Sequence, residues 1–502
     1  MKKFFMPVLL LGVMLTSCSK DDDINEVEEV EVVVEQTAEE KKMLEINDFI
    51  WKGMNDIYLY KSNIPQLADD YFSTQTELND YLLKWDDPED LFYNGLVYKN
   101  LDKFSWIVDD YSELESYLAG SSKSAGFKYG FVYAPNSDTK VLAYVIFVSP
   151  EGPADIAGLK RGDLISKVNG TEMTVSNYQS IFNSEMLELG RSTIKDGALV
   201  ANGDPINVTK TVFKEKPIAV DKVFTVNGVK IGYLYLSTFL GEFGVDDVKL
   251  NDVFAKFKSE NIDELIVDLR YNSGGYSEFS ADLASMVTGQ FEGQILTQQL
   301  WNDNWMDYWK KNDPEAIYNR FDAEVSTEQA INSLYLDRVY VIETDRSYSA
   351  SESFLIALEP YIDVIHVGQN TGGKFQGSVT VYDSNGFFNK EGINPNHKYA
   401  IQPLIYKYAN AVGFTDFVGG LTPDIEKDES IGNLGQLGEL DEPLLARTIQ
   451  AITGVAPQSS AVKKQPTDSG LNFRKIAKQD EKGWFITQNE GLKNVPLSFP
   501  QN

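Results

Sequence analysis

The sequence predicts a multidomain α/β protein, with an N-terminal helical domain, a β-rich domain, and a larger α/β core built on a largely parallel sheet. Length supports this: 502 residues, 42% of them hydrophobic, suffice for about three domains at roughly 150 residues each. The apolar pattern also changes twice along the chain, from helical spacing to dense strands and then to alternating strand and helix. The formal net charge is −30, which excludes nucleic acid as a partner, because that binding depends on Lys and Arg neutralising phosphates.

Cysteine and histidine are scarce: one Cys and two His. No intrachain disulfide can form, and no His-Glu-x-x-His or paired-Cys spacing exists, so a structural zinc site is excluded and no metal is expected. A Ser-His-Asp hydrolase would have to use His366 or His397, and neither lies in a catalytic motif. The chemistry therefore points away from imidazole.

Residues 1–17 read as a secretory signal: Lys2 and Lys3 precede the apolar run Phe4–Leu15, which is too short to span a bilayer. The run ends in Leu15-Thr16-Ser17-Cys18, which resembles the lipobox of bacterial lipoproteins, the plainer alternative being an ordinary cleaved signal. Lipidation at Cys18 would make the chain an exported lipoprotein of the outer membrane, on its periplasmic or cell-surface face, with the lipid anchor as its membrane contact. Residues 18–40 are expected to form an acidic tether, since Lys20–Glu40 holds one lysine and ten acidic residues.

From 41 to 120 the spacing of Leu44, Phe49, Ile50, Met54 and Ile57 predicts helix, and Asp87-Pro88-Glu89 marks a further helix start. Strands are predicted at Phe131–Tyr133 and Val141–Val148. They lead into Gly152-Pro153-Ala154, Gly158-Leu159-Lys160-Arg161-Gly162-Asp163 and Val168-Asn169-Gly170, a short helix and two tight turns. Residues 125–215 resemble a bacterial PDZ domain, which implies capture of an extended peptide at a sheet edge. Tyr129-Gly130-Phe131 best matches the Gly/apolar turn that holds the peptide end, with a rigid spacer as the other reading.

The segment 220–454 alternates strand and helix: Lys230–Leu236, Asp246–Ser259, Glu264–Leu269, Val339–Glu343, Ser351–Leu358 and Val364–Val367. This predicts a largely parallel sheet with ligand groups on loops beyond the strand ends. Residues 455–502 form an extension without an assigned role, with a polar linker at 459–464 and a short strand at Trp484-Phe485-Ile486.

The chemistry concentrates at Ser347-Tyr348-Ser349-Ala350-Ser351-Glu352, where a strand turns into a helix. A serine there sits near helix amides that stabilise an anion, although Ser and Glu at a helix start also form a capping arrangement. Lys374 lies 25 residues beyond Ser349, across one helix and one strand, so a crossover would bring the two together. It could act as base only if desolvation lowered its pKa. Gly368 to Gly373-Lys374 also matches most of a phosphate-binding loop, but Phe375 stands in place of Ser/Thr and a strand follows instead of a helix.

With Asp268-Leu269-Arg270-Tyr271-Asn272-Ser273-Gly274-Gly275, Thr371-Gly372-Gly373-Lys374 and Gly420-Leu421-Thr422-Pro423-Asp424, these motifs resemble the carboxyl-terminal processing (tail-specific) serine peptidases over residues 40–454. The resemblance implies Ser349 as nucleophile, Lys374 as general base, and an oxyanion hole from the Ala350 N–H with a glycine of Gly274-Gly275. It implies no cofactor, and substrates that are polypeptides with accessible C-terminal regions. Many family members carry Gln four residues beyond the lysine, where this chain has Ser378, with Gln376 two residues earlier; either is a candidate to orient Lys374. The rival expectation is a non-catalytic surface lipoprotein that keeps the fold to bind peptides or apolar ligands.

Overall fold

The structure is a computed structural model that describes residues 36–195, 198–457, 473, 474 and 476, and the backbone of 484–486. The expected signal segment, Cys18, nearly all of the tether and the 459–464 linker lie outside the described residues. No described helix is long and apolar enough to cross a membrane.

The N-terminal region is helical, led by α1 (Ala38–Ile57) and followed by α2 (Gln75–Leu82) and α3 (Tyr111–Leu118). Helix α1 begins inside the segment expected to be tether. Thr37 Oγ1 accepts the Glu40 N–H while the Glu40 carboxylate accepts the Thr37 N–H, a reciprocal cap that starts the helix there. One face of α1 buries Phe49, Ile50, Met54 and Ile57 in the main core, shared with the α/β region.

The β-rich domain is a seven-stranded sheet whose path includes β1 (Phe127–Tyr133), β2 (Val141–Val148), β3 (Leu164–Val168) and β4 (Met186–Lys195), all antiparallel. β1 is an edge strand of this sheet. Tyr129-Gly130-Phe131 lies within β1, which corrects the expected turn: Tyr129, Gly130 and Phe131 pair with Val145, Tyr144 and Ala143. The left-handed residue that redirects the chain is Gly126, just before the strand.

Among the described residues the α/β core holds two six-stranded sheets instead of the one sheet expected, and Val381–Tyr382 and Ala400–Gln402 add a small third one with Trp106–Val108 of the N-terminal region. The first is largely parallel and contains β5 (Ile218–Val226), β6 (Val229–Leu236), β7 (Glu264–Asp268), and then β11, β12 and β15 below. Following β7 come β8 (Gly274–Tyr276), β9 (Ile295–Trp301) and β10 (Tyr318–Arg320) of the second sheet. The chain returns through β11 (Arg338–Glu343) and β12 (Asp363–Gly368), then adds β13 (Gln376–Ser378), β14 (Leu404–Asn410), β15 (Ile425–Glu426) and finally β16 (Trp484–Ile486). Spatial orders are β5-β6-β7-β11-β12-β15 and β8-β16-β13-β14-β9-β10. Only β5 runs antiparallel to its neighbour in the first sheet.

Helices α4 (Asp246–Glu260), α5 (Ser277–Val287), α6 (Asp303–Asn312), α7 (Ala350–Leu358) and α8 (Pro443–Thr453) complete the core. All nine residues of α7 are buried, because it packs against strands of both sheets and against α5. A helix covered on every side fits such a place, its buried Ser351 and Glu352 being satisfied by hydrogen bonds.

A buried ionic network ties the β-rich domain to the core. Arg161 donates to Glu429 at 2.7 Å and to the Tyr271 hydroxyl at 2.8 Å, while fully buried Arg270 is held by Asp268 and, bidentately, by Glu442. Removing either cation would strand buried carboxylates, so the network constrains how the two units meet.

Candidate active site

Parallel strands β11 and β12 are neighbours, and each ends at one half of the site. After β11 the chain turns sharply at Ser349, whose φ of 62° and ψ of −108° place it in the strained half of backbone space, and α7 begins at the next residue. After β12 it passes Gly372 and Gly373 to reach Lys374. Gly373 has φ +85°, and a Cβ there would lie 2.4 Å from the Val418 carbonyl oxygen, so only glycine fits.

The three serines of the turn have different partners. Ser347 Oγ donates to the Leu269 carbonyl and Ser351 Oγ to the Asn272 carbonyl, both at 2.9 Å. These two hold the β11–α7 turn against the loop after β7. Ser349 Oγ is buried and, although the helix start turns the Glu352 N–H toward it, meets no hydrogen-bond partner among the described residues, an expense that structural serines avoid.

Ser349 and Lys374 are positioned by shared groups. Glu352 Oε2 accepts the N–H of Ser349 at 2.7 Å and of Lys374 at 2.9 Å, and Oε1 accepts the Gly373 N–H at 2.6 Å and the Thr371 hydroxyl at 2.5 Å. The Tyr408 hydroxyl, on β14, lies 2.9 Å from the Ser349 carbonyl and 2.6 Å from that of Lys374, its one proton shared between them. Burial raises the Glu352 carboxyl to about 7, opposed by those four donors.

Lys374 is 1% exposed. Desolvation lowers its pKa to about 7, against the attraction of the Asp102 and Glu352 charges. Its Nζ sits 5.2 Å from the ring centre of Phe104. Phe104 and Asp102 belong to the N-terminal region, where Asp102 is held by the Tyr58 hydroxyl at 2.8 Å and by the N–H groups of Phe104 and Ser105. The lysine's surroundings are thus contributed partly by a segment some 270 residues away in sequence.

Of the two residues expected to orient Lys374, Gln376 Nε2 donates to the Tyr60 hydroxyl at 2.9 Å, and its Oε1 is buried without a partner among the described residues. Ser378 Oγ accepts from Gln402 Nε2 at 3.3 Å. On the anion side, Ala350 N–H is the first amide of α7, with no carbonyl four residues back in the helix. Gly274 N–H donates to Asn272 Oδ1 at 2.9 Å, which removes it from the expected oxyanion pair and leaves Gly275. Gly275, at φ +149°, passes so close to Phe239 that a Cβ would lie 2.1 Å from its carbonyl carbon.

The histidines have structural partners. His366 Nδ1 lies 3.1 Å from Glu343 and its Nε2 3.4 Å from Glu359, and His397 Nε2 lies 2.9 Å from Asp383. The segment after Lys374 is strand β13, not a helix, so the phosphate-loop reading fails. Among the described residues no cluster of three or more His, Cys, Asp or Glu could hold a metal ion.

Sequence reasoning saw Glu352 only as a helix cap and did not see Tyr408, Asp102 or Phe104. The sequence marks Glu352 as a cap, but the full burial that gives its carboxylate three further donors is visible only in the structure. The others carry no local signal.

The fold and this geometry define an α/β protein with a buried serine and lysine brought together by adjacent parallel strands. Three family models match the chain in order: the peptidase S41 N-terminal domain at 45–106, the PDZ domain at 121–193 and peptidase family S41 at 230–426. The chain belongs to peptidase family S41, with that family's N-terminal domain and a PDZ domain. Among curated proteins, it is 28% identical over 274 residues to carboxyl-terminal-processing peptidase 1, chloroplastic, of Arabidopsis thaliana, covering 52% of this chain and 50% of that protein. It is 21% identical over 329 residues to the chloroplastic C-terminal processing peptidase of Tetradesmus obliquus, covering 62% of each. The chain therefore spans only half to three-fifths of the length of these relatives. A crystal structure of an S41-type protein from Bacteroides fragilis shares the fold, with a TM-score of 0.63, 23% identity, and coverage of 81% of this chain and 97% of the other.

Proposed function

We propose that the protein is a serine endopeptidase of the C-terminal processing type that uses a Ser349/Lys374 dyad. The observation that carries this reading is the contrast among the serines: Ser347 and Ser351 are spent on backbone carbonyls, whereas Ser349 Oγ is buried at a strained turn with no hydrogen-bond partner among the described residues. Neutral Lys374 takes the Ser349 proton, and the alkoxide attacks a peptide carbonyl. The N–H groups of Ala350 and Gly275 stabilise the resulting oxyanion. Protonated Lys374 returns its proton to the leaving amine, and water then hydrolyses the acyl-enzyme.

A lysine pKa near 7 leaves about half the molecules with a neutral base at neutral pH, which suits general-base work. The PDZ domain would supply polypeptide capture at the edge of β1, including Tyr129, Gly130 and Phe131. Lipidation at Cys18 would place the enzyme on the outer membrane; labelled-lipid incorporation lost in Cys18→Ala checks that part.

A fluorophosphonate probe is expected to label the protein and not Ser349→Ala. Lys374→Ala should abolish hydrolysis of an unfolded polypeptide at every pH. Unchanged proteolysis in either variant would reject the dyad.

A further inference from the structure

Two strand edges of this molecule are covered by the same short piece of chain. The first is β1 of the PDZ domain, an edge strand. Tyr133 N–H donates to the Arg474 carbonyl at 3.0 Å and Ile476 N–H to the Phe131 carbonyl at 3.5 Å. That offset of two residues on each side is an antiparallel pairing. Side chains follow the alternation of an added strand: Arg474 lies 4.0 Å over the Tyr133 ring and pairs with Asp138, and Ile476 packs with the cluster containing Phe131 and Tyr178. Phe473 packs with the cluster of Val132, Ala134 and Leu142.

The second edge belongs to the site. β16 lies between β8 and β13, parallel to both, with Trp484, Phe485 and Ile486 opposite Gly274, Gly275 and Tyr276, and Ile486 opposite Ser378. Without β16 the two flanking strands would be separated by a slot about 10 Å wide, which is the width of one inserted strand. One wall of that slot is the glycine pair beside the proposed oxyanion site, and the other begins two residues after Lys374. Any extended polypeptide can satisfy such edges through its backbone.

We propose that the C-terminal region is a built-in competitor, Phe473, Arg474 and Ile476 occupying the PDZ strand edge and Trp484–Ile486 the strand slot beside Ser349, in cis, so that a polypeptide substrate must displace them. This rests on the peptidase reading of the site. The competitor is an extended peptide, recognised mainly through its backbone.

The test uses full-length protein carrying Ile476→Asp with Phe485→Pro, which disturb each pairing in turn, the second by removing a strand N–H. In a Ser349→Ala background, a fluorescent synthetic peptide copying positions 470–488 is titrated by anisotropy. If the closed state holds about nine-tenths of the molecules, opening it tightens the apparent Kd ~10-fold. With Ser349 present, the rate on fluorescein-labelled casein should rise by a similar factor. Tighter peptide binding without casein hydrolysis or fluorophosphonate labelling in any form would uphold the competitor and overturn the peptidase reading. Casein hydrolysis by the parent with Kd and rate unchanged or worsened in the variant would overturn the competitor, showing a permanent strand instead. If the double variant fails to fold by circular dichroism, Arg474→Glu at an exposed position repeats both measurements, and no change in either then overturns the proposal.

Discussion

Ser349 and Lys374 hang from the same carboxylate oxygen: both backbone N–H groups donate to Glu352 Oε2, at 2.7 and 2.9 Å. Their carbonyls meet at the Tyr408 hydroxyl. The relative placement of the two residues is therefore set by rigid backbone and two buried side chains.

Glu352→Gln should damage this arrangement although it is nearly isosteric. Whichever way the amide turns, its nitrogen would face at least one backbone N–H, and leaving such a group unpaired in a buried site costs roughly 1–3 kcal/mol. Thermal denaturation is expected to show that loss, and kinetics a fall in kcat with KM little changed. A variant as stable and as active as the parent would show the carboxylate to be dispensable.

The rate should depend on the charge of Lys374. Its pKa of about 7 predicts that kcat/KM rises with pH to a plateau above about 8. Phe104→Ala admits water beside Nζ and weakens desolvation, the dominant cause, so the rising limb should move to higher pH by about one unit. That is a ~10-fold loss at pH 6.5 that recovers by pH 9–10. A pH-independent loss would mean that Phe104 acts only through packing.

The same shift has a stability sign. Between about 7 and the ordinary value of 10.5, the unfolded lysine holds a proton that the folded one lacks, so stability rises with pH across that window and is lowest below it. Lys374→Met should therefore stabilise the protein by roughly 3–5 kcal/mol at pH 6 and progressively less toward pH 10. Urea unfolding at both pH values measures the difference; equal effects at both would contradict burial of a neutral amine.

Arg161→Met should destabilise the protein by about 2–4 kcal/mol, because it leaves the partly buried Glu429 with one cation fewer. Adding Glu429→Gln should recover part of the loss, a non-additivity expected for direct partners. Strict additivity in denaturant unfolding would argue against the pairing.

What was legible in the sequence was whatever a local pattern carries. Val141–Val148 shows its strand through β-branched and aromatic density and occupies those residues in the structure. Asp246 starts its helix as read, and Glu264 its strand. The 25-residue offset between Ser349 and Lys374 sufficed to place them on neighbouring strand ends, because a right-handed crossover leaves few alternatives. Within the trio of serines, only the offset from Lys374 and the family resemblance single out Ser349; the partners of the other two are not legible. Their roles depend on which carbonyls lie opposite, and Leu269 and Asn272 come from another strand end.

By itself, then, the sequence determined the order of domains, the parallel framework of the first sheet and the turns that hold Ser349 and Lys374, since turn chemistry and periodicity are short-range. The tertiary structure alone decided that Glu352 and Tyr408 clamp both residues, that Phe104 and Asp102 of the N-terminal region surround Lys374, and that Gly274 spends its N–H on Asn272. It also decided that Trp484–Ile486, visible beforehand only as a strand, lies against Gly274–Tyr276. Desolvation and strand pairing depend on what else fills the space, and no local stretch of sequence records its distant neighbours.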